Sequence, residues 1–143
     1  MTLEATFATA CDRLLGAEFS ENIGIAVSGG GDSTALLVLA CGRFGGARIT
    51  APSVDHGLRP EAARELALVA TLCAQLGCAH EVLTWHRAGA RGDLQAEARA
   101  ARYALMADWA ARTGTRTILL GHTGDDQAET VLMRLARGSG VDG

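Results

Sequence analysis

The sequence predicts an α/β fold, a doubly wound parallel sheet with helices on both faces. Two observations predict it. Short β-branched or apolar runs alternate with helical patterns of ten or more residues, and polar or glycine-rich segments follow the strand candidates. Strands joined through helices pair in parallel by right-handed crossovers, which places helices on either side of the sheet.

The elements follow in order. Leu3, Phe7, Cys11 and Leu14 recur at intervals of four and three, one face of a leading helix. Ile23 to Val27 is a short strand that runs into Ser28-Gly29-Gly30-Gly31-Asp32-Ser33, and the apolar, Ala- and Leu-rich run from Ser33 to Gly42 is a helix beginning at Asp32 or Ser33. Arg48 to Val54 is a second strand ending at Asp55-His56-Gly57-Leu58-Arg59, after which Pro60-Glu61 opens a helix to about Gly77. His80 to Trp85 is a third strand, Ala88 to Asp93 a loop, and Leu94 to Thr113 a long helix. On that helix Leu94, Ala98, Ala101, Leu105 and Trp109 share a face, with Glu97, Arg99 and Arg102 on other sides. Thr115 to Leu120 is a fourth strand and Asp125 to Arg137 a closing helix. Trp85 and Trp109 are expected in the core.

Composition bounds the function. At 143 residues, 48% hydrophobic and 20% charged, the chain reads as one soluble domain, 1–143. Its longest apolar run, Ala35 to Cys41, is too short for the roughly 20 residues of a membrane span. The start has no basic leader, so a cytoplasmic location without membrane contact is expected. The four cysteines, Cys11, Cys41, Cys73 and Cys78, sit in apolar patterns without a CxxC pair and read as reduced core residues; Cys73, Cys78 and His80 match no common zinc spacing. Net charge is −3, and all 13 basic residues are arginines. That balance argues against tight nucleic-acid binding by this domain unaided, although arginine clusters suit bidentate phosphate contact.

Three segments follow strands: the glycine-rich loop, Asp55 to Arg59, and Gly121-His122-Thr123-Gly124-Asp125-Asp126. In an open α/β sheet they share the carboxyl edge, where ligands bind. Three consecutive glycines let backbone N–H groups approach an anion, and the helix that follows adds its free N–H groups and the positive end of its dipole. Ser28 and Ser33 add hydroxyls. The segment therefore reads as a phosphate cradle that binds ATP. It is not the P-loop, which has Lys before its Ser or Thr where this chain has Asp32, and the glycine spacing is not that of a dinucleotide fingerprint. Asp125 and Asp126 also suit a helix cap, His56 a turn, and Arg99 and Arg102 an exposed helix face.

SGGGDS resembles the SGGxDS signature of PP-loop ATP pyrophosphatases, which split ATP between the α and β phosphates and attach AMP to a substrate oxygen. Three further blocks narrow the resemblance to tRNA(Ile)-lysidine synthetases. Val54-Asp55-His56-Gly57-Leu58-Arg59 resembles their HGLR segment, Leu94 to Tyr103 their EAxAxxxRY helix, and Gly121 to Thr130 their HHxxDQxET segment, continuing through Arg134 to Arg137-Gly138-Ser139-Gly140. Thr123 departs from the pattern, standing where many relatives have a second His.

The resemblance implies a Rossmann-like PP-loop ATPase domain and an ATP-dependent ligase of tRNA processing. In it the wobble cytidine of a CAU anticodon is adenylated at its 2-carbonyl oxygen and the ε-amine of free lysine then displaces AMP, forming lysidine. Ser28, Gly29, Gly30, Gly31, Asp32 and Ser33 would hold the pyrophosphate. Asp32 and Arg102 would stand closest to the chemistry, Arg102 on the α-phosphate and Asp32 with Mg²⁺ or the lysine ammonium. His56, Arg59, His122, Asp125, Asp126 and Glu129 would line the substrate side. ATP and Mg²⁺ are the implied cofactors, the metal entering through the ATP phosphates; tRNA(Ile) and L-lysine are the implied partners, and a homodimer is allowed. Such synthetases continue into C-terminal tRNA-binding domains, so the chain is expected to be truncated at its C-terminal end and inactive alone. Two other readings stay open: a cytidine-thiolating PP-loop enzyme, whose relatives carry CxxC pairs, and a nucleotide-binding regulatory module without chemistry.

Overall fold

The computed structural model describes the backbone of residues 2–27, 31–55, 57, 61–86, 94–122, 129–136 and 140–141, and side chains through residue 120 except at positions 31, 32 and 95. Its elements are α1 (Leu3–Leu15), β1 (Ile23–Ala26), α2 (Gly31–Phe44), a 3-10 turn (Gly46–Arg48), β2 (Ile49–Asp55), α3 (Glu61–Leu76), β3 (Ala79–Thr84), α4 (Leu94–Thr113), β4 (Thr117–His122), β5 (Glu129–Ala136) and β6 (Gly140–Val141). Strand order is β3-β2-β1-β4-β5-β6, with β1 to β4 mutually parallel. Among the described residues, no helix is long and apolar enough to cross a membrane.

Alternation along β1 divides the core into two layers. Ile23 and Ile25 face a cluster built with Cys11 of α1, Leu36, Leu37, Ala40, Cys41 and Phe44 of α2, and Val69 and Cys73 of α3. Ala26 faces the opposite cluster, with Met106, Trp109 and Ala110 of α4, Leu83 of β3, and Ile118 and Leu120 of β4. Helices thus cover both faces, as the doubly wound reading requires. The change of face at α4 accompanies the change of direction in the strand order, from β3 at one edge back across to β4, when crossovers keep one hand.

Two expectations are corrected. The segment from Asp125 to Arg137 was expected to close the chain as a helix; its described part, Glu129–Ala136, is a strand antiparallel to β4, and β6 adds a second antiparallel strand. A short apolar run with β-branched residues, here Thr130 and Val131, suits strand or helix equally by pattern. The open backbone edge of β4 decides for the strand, because pairing satisfies N–H and C=O groups along that edge. The sheet is consequently mixed rather than wholly parallel, a common extension of parallel sheets.

The second correction concerns helix faces. On α4 the inward stripe is Met106, Trp109 and Ala110, with Tyr103 and Leu105 packed against it, whereas Leu94 is exposed. Trp109 sets the rotation: its ring lies over Gly24, where a Cβ would stand 2.8 Å from ring carbon Cζ3. Positions one and two turns before Trp109 then turn toward the sheet, and Arg102 becomes half-buried. On α1 the packed positions are Phe7, Cys11 and Leu15, with Leu3 and Leu14 exposed. Trp85 is half-buried rather than core.

Helix ends follow local chemistry. Thr2 caps α1, its hydroxyl oxygen accepting from the Ala5 N–H at 3.1 Å. Helix α3 ends in a Schellman motif: Gly77 takes φ +74°, Cys78 N–H donates to the Cys73 carbonyl at 3.0 Å, and Gly77 N–H to the Ala74 carbonyl at 3.4 Å.

Candidate functional site

Because β1, β2, β3 and β4 are parallel, their last residues Ala26, Asp55, Thr84 and His122 lie at one edge of the sheet. The connection from β1 leaves toward β2 on one side, while β4 pairs on the other, with Ala26 opposite Leu120. This makes the β1/β4 boundary the topological switch point, the position at which open α/β sheets form a ligand crevice. The glycine segment leaves β1 at this boundary.

Pro52 marks the end of the β1/β2 ladder. Its carbonyl accepts from Val27 N–H at 3.2 Å. The N–H that proline lacks would have gone to the Ile25 carbonyl, so the β1/β2 ladder loses a rung there and its Val27 rung stands directly before the glycine segment. Helix α2 starts at Gly31, one to two residues earlier than the sequence suggests, so Gly31 and Asp32 belong to its first turn. Fourteen residues of helix behind that turn supply free N–H groups and a full dipole. Ser33 is buried at 2% exposure. Ser28, Gly29 and Gly30 lie outside the described residues, as does the Asp32 side chain.

At the end of β2 the Asp55 carboxylate accepts from Gly57 N–H at 2.9 Å, and Gly57 takes φ +65°. The Asp55 carbonyl accepts from Trp85 N–H at 2.9 Å, tying the ends of β2 and β3 together. Asp55 is thus a turn-forming residue, a role that an Asp two positions before Gly signals. His56 and Arg59 lie outside the described residues.

Arg102 is the candidate site residue whose surroundings are most fully defined. Its guanidinium carbon stands 5.6 Å from the centroid of the Tyr103 ring, and Arg99 stands 5.5 Å from the same ring. The Arg102 Nε is buried with no hydrogen-bond partner among the described residues. Arg48 shows a buried Nε too, yet it is anchored: its Nη2 donates to the carbonyls of Phe19 at 3.0 Å and Glu21 at 2.9 Å. A buried donor without an acceptor costs about 1–3 kcal/mol, which an anion would recover.

Past β4, the pairing of β4 with β5 sets His122 opposite Glu129 and Gly121 opposite Thr130. Two candidate substrate-side residues are therefore cross-strand neighbours at the carboxyl edge, through a strand that sequence reasoning had assigned to a helix. Asp125 and Asp126 lie outside the described residues, and the side chains of His122 and Glu129 are likewise not described.

The remaining reactive side chains serve the fold. Cys41 and Cys73 are buried, and burial first, then the neighbouring Cys78 thiol, pushes both up to about 12. Both stay protonated. His80 Nε2 lies 3.1 Å from Ser53 Oγ, and burial lowers its pKa. Glu81 accepts from Trp109 Nε1 and Arg112 Nη2, each at 3.0 Å, fixing α4 on the sheet. Among the described residues no group of three or more His, Cys, Asp or Glu could hold a metal ion.

A parallel sheet that releases a glycine segment at its switch point onto a long helix N-terminus defines a phosphate-binding α/β domain. Residues 3–143 match the PP-loop domain family, and the chain belongs to that family. It is 51% identical over 135 residues to a tRNA(Ile)-lysidine synthase of Ruegeria pomeroyi, covering 90% of this chain and 32% of that protein. To the tRNA(Ile)-lysidine synthase of Zymomonas mobilis it is 47% identical over 137 residues, covering 96% of this chain and 41% of the relative. The chain thus spans about a third of the length of the curated relatives it matches. Among solved structures it resembles the U34-tRNA thiolase NcsA of Methanococcus maripaludis with its 4Fe-4S cluster, at TM-score 0.68 and 13% identity over 83% of this chain and 45% of that one. It also resembles the NH3-dependent NAD synthetase of Campylobacter jejuni, at TM-score 0.62 and 17% identity over 85% of this chain and 55% of that one. At such identity these two likenesses concern the fold.

Proposed function

We propose that this chain is the ATP-binding part of a ligase that joins free lysine to the wobble cytidine of the CAU anticodon of tRNA(Ile), releasing AMP and pyrophosphate. The observation that carries the reading is identity near one half to tRNA(Ile)-lysidine synthases through the segments that hold the glycine loop, the Arg102 helix and the residues after β4. The donor set fits a nucleoside triphosphate: the α2 N-terminus follows the glycines directly, and the buried Nε–H of Arg102 has no acceptor among the described residues.

The first step activates a poor electrophile. The cytidine 2-carbonyl oxygen attacks the α-phosphorus, the bond to the bridging oxygen breaks, and pyrophosphate leaves. Backbone N–H groups of the loop and the first turn of α2 hold the leaving group through residues Ser28 to Ser33, and Arg102 neutralises charge growing on the α-phosphate. Asp32 is the candidate to orient the lysine ammonium or a Mg²⁺ carried in by the ATP phosphates, which would supply further charge neutralisation. In the second step the ε-ammonium gives up a proton to solvent, the resulting neutral amine attacks C2, and the C2–O bond breaks as AMP leaves with the oxygen. His56, Arg59, His122, Asp125, Asp126 and Glu129 form the proposed substrate side, with the His122/Glu129 register as its frame. A cytoplasmic location and an optional homodimer belong to the same reading.

Cytidine thiolation is less well supported, because a sulfur-handling CxxC pair is absent from the sequence and the buried thiols Cys41 and Cys73 stay protonated. The test incubates the full-length protein with ATP, lysine and a tRNA(Ile) transcript of CAU anticodon. Lysine-dependent AMP release with mass gain at the anticodon is expected. ATP binding without turnover would sink the proposal in favour of a regulatory module.

A further inference from the structure

We propose that Tyr103 is the positioning residue for Arg102: its ring face holds the guanidinium at the level where β1 gives way to the glycine loop. The inference rests on the proposed role of Arg102 and adds a residue that this role does not name. Three observations carry it. Arg99 and Arg102 stand 5.5 and 5.6 Å from the one Tyr103 ring, so two like charges share a single π system. Arg102 Nε is buried with no hydrogen-bond partner among the described residues, so the ring substitutes for the acceptor that would otherwise fix the side chain. Tyr103 itself packs against the buried cluster that contains Met106, Trp109 and Leu120, which roots the ring in the core.

The helix geometry sets the height. Helix α4 connects the carboxyl end of β3 to the amino end of β4, so it runs antiparallel to β1. Trp109 lies against Gly24. Tyr103, six residues earlier, is about 9 Å nearer the carboxyl edge at 1.5 Å per residue. Along β1 that distance is roughly three residues, which reaches Val27, the residue before Ser28. Arg102 is therefore carried at the level of Val27 by a ring rooted in the core, and its Nε has no hydrogen-bond partner among the described residues. Such preorganisation leaves the guanidinium free for an anion while limiting its rotamers.

The test uses the full-length protein and single-turnover adenylation of tRNA. Tyr103→Phe keeps the ring face and is expected within about twofold of the parent, while Tyr103→Leu should lose roughly three- to tenfold in the single-turnover adenylation rate, with the lysine KM, read separately in steady-state ligation, unchanged. Because Tyr103→Leu also alters packing, a series of mono-, di- and trifluorinated phenylalanines at position 103 holds shape constant and drains the ring's negative face. A stepwise fall in the single-turnover rate with each fluorine is expected, and it should vanish in an Arg102→Gln background, where position 102 no longer places a cation over the ring. A flat fluorine series in the parent, or an equal fall in both backgrounds, overturns the positioning role. Full adenylation by Arg102→Ala would instead overturn the reading of Arg102 on which it rests.

Discussion

One added methyl group at Gly24 would meet Cζ3 and Cη2 of Trp109 at 2.8 and 2.9 Å and Ile118 Cγ1 at 3.3 Å. The ring is 1% exposed and its Nε1 is tied to Glu81, so it has little freedom to withdraw. Gly24→Ala should therefore overpack this layer, costing about 1–3 kcal/mol in urea unfolding, and should shift α4 and the Arg102 carried on it. Gly46→Ala makes a useful comparison in the turn just before β2, where the new Cβ would stand 2.5 Å from the Leu76 carbonyl oxygen, a backbone atom. His80 gives a pH signature. Burial lowers its pKa below the ordinary 6.5, so the unfolded chain takes up a proton first as pH falls. Stability from this group is complete above pH 6.5 and is lost as pH drops through the folded value. His80→Gln, which can still bond Ser53, should flatten the fall of the urea midpoint as pH drops below 6.5; an unchanged slope would remove His80 as its source.

Among the elements, those with their own local signals were legible and those settled by neighbours were not. Gly77, between the apolar run of α3 and Cys78, marks a helix stop that residue type alone reveals, and the structure has the Schellman bonds there. Gly77→Ala places a Cβ at φ +74° and should cost roughly 1 kcal/mol without touching the phosphate loop, read as a lower thermal midpoint with unchanged ATP affinity. The four parallel strands came out within two residues of their observed ends because each is a short apolar run between turn signals. Residues 129–136 were misread because ETVLMRLA satisfies both periods, and the deciding quantity, an open β4 edge, is not local. The α4 rotation was missed for a related reason. Periodicity favoured Leu94 and Ala98, whereas the largest side chain, Trp109, found its notch over a glycine 85 positions earlier in the chain.

At the scale of the whole molecule, the candidate site was legible as a set of segments, because parallel topology brings everything that follows a strand to one edge. Its internal partnerships were not: that Tyr103 carries both arginines, and that His122 faces Glu129 across a ladder, are facts of packing. Charge is the property of the whole chain that sequence states outright, and it yields the last prediction. Thirteen arginines stand against 16 acidic residues, and among the described residues Arg99 and Arg102 stand together on α4 over one ring. Counterion release from tRNA scales with the number of phosphates neutralised, so a domain of net charge −3 has a short footprint even where individual arginines are well placed. In filter binding at about 0.15 M salt, residues 1–143 alone should hold tRNA no better than the weak end of non-specific binding, a Kd of roughly 10⁻⁴ M. A full-length tRNA(Ile)-lysidine synthase such as that of Ruegeria pomeroyi, about a third of whose length this chain spans, should bind at least about a hundredfold tighter, with a steeper dependence on salt. Micromolar binding by the 143 residues alone, with a slope reporting many phosphate contacts, would mean that local arginine placement outweighs net charge and that the tRNA footprint lies on this domain.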